Sequence, residues 1–128
     1  MSDLRPIGVP MIIEGVERHL LFTINVYDAL QDKFDASMGE IIDMIVDDRK
    51  CIKATKGVLS ELLNDEVDRL NHDKVEHELK KYTWQEIGWI LRPENISETM
   101  FKILKAYGIT VPETDEFASP NVESGQNE

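Results

Sequence analysis

VPMIIEGVERHLLFTINVYDALQDKF, from Val9 to Phe34, is the stretch on which the fold turns. Met11, Ile12 and Ile13 form an apolar run, and His19 to Ile24 return as a second run rich in strand-forming residues. Between them Glu14-Gly15 reads as a tight turn, because glycine reaches positive φ without a Cβ clash. The chain then changes period and starts a helix. Two strands bury too little apolar surface to be stable alone in water, so the hairpin has to lie on the rest of the chain. From Asn25 to Gly108 that remainder reads as helix throughout. The expected fold class is α+β, predominantly α, with an N-terminal antiparallel hairpin over 9–24 packed on a bundle of five or six short helices within 25–108.

Helix starts are marked by a capping residue three positions before an acid. The pairs are Asn25 with Asp28, Ser37 with Glu40, Asp73 with Glu76, Thr83 with Glu86, and Asn95 with Glu98. They predict helices over Asn25 to Phe34, Met38 to Asp47, a short one marked by Val75, Leu79 and Tyr82, and one from Thr83 that Pro93 ends. A long central helix fits Ile52 to Leu70, where Ile52, Leu59, Leu62, Leu63, Val67 and Leu70 keep the helical period and Gly57 is a weak point of about 1 kcal/mol relative to Ala. The last stripe is Ile96, Met100, Ile103, Leu104 and Tyr107. Gly108 stops it as a left-handed residue in a Schellman motif. The domain organisation is thus a flexible N-terminus at 1–8, one globular domain at 9–111, and a polar, acidic, disordered tail at 112–128.

A chain of 128 residues suits one domain with a self-sufficient core. Cys51 is the only cysteine, which excludes an intrachain disulfide and fits a reducing cytoplasm. With no apolar run near the roughly 20 residues of a membrane span and no signal segment, the chain reads as soluble, without membrane contact. The formal net charge of −11 would repel phosphate backbones, so nucleic acid is not an expected partner. Five of these charges, Glu113, Asp115, Glu116, Glu123 and Glu128, fall in the last 17 residues, which leaves −6 for the rest. Such a surface gives solubility, or steers the protein toward a basic partner.

The residues nominate no catalytic chemistry, no cofactor and no metal. His19, His72 and His77 lack the i, i+4 spacing that turns two imidazoles toward one ion. The run Asn64, Asp65, Glu66, Asp68, Asn71, Asp73 lacks the glycine and the distal glutamate of a calcium loop, and the period of Leu63, Val67 and Leu70 keeps it helical. Phosphate-binding glycine loops and nucleophile elbows are missing, and Cys51 has no identifiable base. The expectation is a binding protein and not an enzyme.

Its candidate contacts are aromatic. Trp89 lies about 140° around the helix from Trp84, and Phe101 about 100° from Met100, so both leave their helix's main stripe. Either each helix buries two faces, or these rings are anchors for another protein. Trp84, Trp89, Phe101 and Tyr107 are the candidate partner-binding residues, with the hairpin as scaffold or as an edge open to self-association.

The order of elements and the local phrasing, LLFTINVYDALQDKF, then ASMGEIIDMIVDD, then TWQEIGWILRPENISETMFKILKAYG and an acidic tail, resembles the tail assembly chaperones of long-tailed bacteriophages and related prophages over about residues 9 to 108. The resemblance implies a virion-assembly factor in the host bacterial cytoplasm, absent from the mature virion. Such a factor coats the tape measure protein, helps recruit tail tube protein, and in this family is often also made as a longer frameshifted product. It carries over no individual residue. The other class that the charge suggests is an acidic inhibitor or DNA mimic that occupies a basic nucleic-acid-binding protein.

Overall fold

The computed structural model describes residues 7–109. The expectations for 1–6 and for the tail at 112–128 lie outside those residues. Strand β1 (Val9–Ile13) pairs antiparallel with β2 (Val16–Leu20), with Ile13 opposite Val16 and Val9 opposite Leu20. Glu14 and Gly15 connect them at φ 52° and 81°, the two positive values that a type I′ turn needs to follow the twist of the strands. Counting bonded pairs outward from the turn, Pro10 falls opposite His19 at a position whose backbone nitrogen faces away from the partner strand. A proline there removes no ladder bond.

Five helices complete the described chain: α1 (Ile24–Phe34), α2 (Met38–Ile45), α3 (Cys51–His72), α4 (Trp84–Ile90) and α5 (Ile96–Tyr107). The α+β, mainly α architecture is as expected. Helix α3 runs through the middle and touches α1, α2, α4, α5 and β2. Every residue from Gly57 to Leu63 is buried, which is nearly two full turns without a solvent face. The single stripe expected for this helix is therefore incomplete. Polar residues close its circumference, and its buried acids are paired: Lys33 Nζ reaches Glu61 at 2.7 Å, Thr23 Oγ1 donates to Asp65 at 3.0 Å, and Arg18 Nε donates to Glu66 at 2.8 Å. Ile52, by contrast, is exposed.

Several boundaries differ from expectation for local reasons. Strand β2 begins directly at Val16 and ends at Leu20, not over His19 to Ile24, because Arg18 is an inward position although it is charged. Helix α1 is capped by Thr23, whose hydroxyl accepts from the Val26 N–H at 3.2 Å, and not by Asn25. Asp73 caps the end of α3 instead of starting a helix, and the segment marked by Val75, Leu79 and Tyr82 is irregular. Lys74 at φ 59° turns the chain there, and the Tyr82 backbone is then held by a side chain of α3 instead of by a helical ladder. Asn95 precedes α5 without a side-chain cap, since its Oδ1 accepts from the Arg92 N–H at 2.9 Å. The Ser37 and Thr83 capping boxes form as read. So does the stop at Gly108, where φ is 105°, Gly108 N–H donates to Lys105 and Ile109 N–H donates to Leu104.

Candidate functional site

The capping box fixes how α4 is rotated, and that rotation separates its two tryptophans. Glu86 N–H donates to Thr83 Oγ1 at 3.1 Å, and Thr83 N–H to Glu86 Oε1 at 2.8 Å. Trp84, in the first turn, faces α3 and is half-buried. It stacks on Phe34 with centroids 5.1 Å apart and points its indole N–H at Glu61 Oε2, 3.4 Å away. Gly57 makes this possible, because a Cβ there would sit 2.7 Å from both Phe34 Cζ and Trp84 Cη2. Five residues later, about 140° around the helix, Trp89 stands 71 % exposed.

Directly after Trp89, Ile90 and Leu91 form one wall of a groove of about 430 Å³. Strand β1 forms the opposite wall with Pro10 and Ile12, the latter 62 % exposed, and Thr99 and Lys102 of α5 line it as well. The groove is close to neutral, with Glu17 and Glu98 against Lys102, whose Nζ lies 3.9 Å from Glu98. Sequence reasoning missed this groove. Its one signal was the exposed alternation of Pro10 and Ile12 along β1, which gains meaning only once α5 is known to lie beside it.

The other candidate rings are placed differently. Tyr107 packs with Phe22 at 5.3 Å and with Tyr27 at 6.0 Å, three half-buried rings that tie the end of α5 to the start of α1. Phe101 is half-buried on α5. Of the four candidates, then, Trp89 alone stands exposed.

No family model, curated protein or solved structure matches this chain.

Away from the groove several titratable groups pair within the fold. Arg18, 1 % exposed, donates to Glu66, to the Leu63 carbonyl at 2.9 Å and to the Lys80 carbonyl at 3.2 Å. Tyr82 donates its phenol to Glu14 at 2.7 Å; burial first, and then that carboxylate, push its pKa up to about 12. His19 lies 3.0 Å from Glu17 and 3.5 Å from Glu66, His77 bonds Asn71 at 2.7 Å, and His72 sits 3.2 Å from Asp73. Among the described residues no three His, Cys, Asp or Glu side chains are grouped to hold a metal ion, and no helix is long and apolar enough to cross a membrane. The described exterior offers an exposed indole, a groove of mixed polar and apolar lining that begins at the next residue, and negative charge.

Proposed function

We propose that this chain is a non-catalytic tail assembly chaperone. It covers apolar stretches of a tape measure protein in the bacterial cytoplasm, assists tail tube assembly, and is left out of the finished particle. One observation carries the reading: Trp89 is 71 % exposed, and the two residues that follow it, Ile90 and Leu91, line an open groove with Ile12. A tape measure is a long helical chain with apolar stripes, and a helix laid in an apolar groove is a standard way to keep such stripes from water. Burying the exposed indole next to such a contact contributes about 2 kcal/mol or more. The resemblance in element order supplies the identity of the partner.

Co-expression tests it. With the chain present, the tape measure protein is expected in the soluble fraction, and Trp89→Ser is expected to return it to the pellet while leaving the chain's own circular dichroism unchanged. A tape measure protein equally insoluble with or without the chain removes the reading. So does a Trp89→Ser variant as effective as the parent. Binding to a basic nucleic-acid-binding protein that collapses between low and moderate salt would instead support the acidic inhibitor or DNA mimic, in which charge supplies the affinity.

A further inference from the structure

We infer that the cleft between α1 and α2 docks a basic amphipathic segment of a partner protein, one that lays lysine or arginine stems on an apolar floor and their charged ends on an acidic rim. The cleft holds about 370 Å³. Its floor is Phe34, Ala36 and Met44, all half-buried, and its rim is Asp35, Glu40, Asp43 and Asp47 together with one cation, Lys50, all exposed. None of the four carboxylates has a cationic partner among the described residues. Glu40 and Asp47 do accept backbone bonds, from Ser37 N–H at 2.8 Å and from Arg49 N–H at 2.8 Å. The carboxylates of Asp35 and Asp43 accept none from the described residues.

Charge selects the occupant. Between Asp28 and Lys50 the chain carries seven carboxylates against three cations, Arg49, Lys50 and Lys33, the last of which Glu61 already holds at 2.7 Å. That local excess of four is most of the net charge of −6 of the described residues, 19 acids against 13 Lys and Arg. This cleft lies in that acidic stretch. A wholly apolar segment would cover carboxylates and leave them without partners, which is costly. A wholly ionic one would leave the floor of Phe34 and Met44 wet. Lysine and arginine, with apolar stems and charged tips, satisfy both. A second copy of this chain would bring the same acids face to face and be repelled. The cleft belongs to α1 and α2 rather than α4, so its occupancy stands or falls independently of tail assembly.

The probe is a fluorescently labelled amphipathic helical peptide of leucine and lysine, followed by anisotropy, with amide chemical shifts to locate it. Binding at low salt with shifts at Ala36 and Met44 is expected. Asp35→Asn with Asp43→Asn keeps both shapes, and asparagine tolerates the left-handed conformation of residue 35, so the fold survives. This pair should weaken binding roughly 2- to 30-fold, as expected for the loss of two exposed charge pairs. Four results would each overturn the inference: equal binding by the double variant, shifts confined to α4, equal binding of a serine and lysine peptide of the same charge, or self-association of the chain that the double variant abolishes.

Discussion

At Gly57 the backbone of α3 comes so close to Phe34 and Trp84 that a Cβ would meet both rings at 2.7 Å. Helix propensity alone favours alanine there by about 1 kcal/mol, whereas forcing a methyl group into a filled interior costs about 1–3 kcal/mol. Packing should win, and Gly57→Ala should lose about 1 kcal/mol in urea denaturation. A gain would mean that the ring pair slides aside freely. Tyr82 makes a second residue-scale prediction. Its folded pKa of about 12 lies above its ordinary value of 10, so the folded state holds the phenolic proton more tightly. The stability this confers is complete below pH 10 and is lost as pH rises toward 12. Tyr82→Phe should flatten that decline in a pH series of unfolding curves, and a decline of unchanged steepness would assign it to other groups.

Among the elements, the irregular stretch from Val75 to Tyr82 is held mainly by side chains of other elements. Asn64 Oδ1 accepts from the Tyr82 N–H at 2.7 Å and its Nδ2 donates to the Tyr82 carbonyl at 2.9 Å, while Ser60 reaches the same carbonyl at 2.6 Å. Asn64→Ala should speed hydrogen exchange at the Tyr82 amide and cost about 1–3 kcal/mol, with α4 still formed. Protection unchanged at that amide would assign the anchoring elsewhere. The ion pair of Arg18 and Glu66 joins the hairpin to α3 in the same manner. Arg18→Met alone strands a buried carboxylate and should cost about 3–5 kcal/mol, while adding Glu66→Gln should restore part of that loss; a purely additive double variant would argue against coupling. These contacts explain what was legible beforehand. Ser37, Thr83 and Gly108 announce their helix ends because their bonds are local, within a few residues. The roles of Arg18 and Asn64 could not be read because their partners, Glu66 and the Tyr82 backbone, are distant in the chain, and Asp73 closes α3 where its spacing to Glu76 suggested a start. The same holds for the surface: the 140° offset of Trp89 comes directly from helix geometry, but the acidic cleft required α1 and α2 to be folded against each other.

For the molecule as a whole, interior and exterior divide the work. Trp89→Ala should leave stability within about 0.5 kcal/mol, as for a surface change that breaks no contact, while weakening partner binding roughly 30-fold. A large loss of stability would make Trp89 part of the core. Helices α1, α2, α4 and α5 and strand β2 all lean on α3, and β1 reaches the body through β2 and α5. That arrangement also has a clock. The guanidinium of Arg18 leaves the ribosome 48 residues before its carboxylate at Glu66, which at about 5–20 residues per second is a delay of roughly 2–10 s. Throughout that interval the nascent hairpin has nothing to rest on, so the middle of the chain must be made before its beginning can settle.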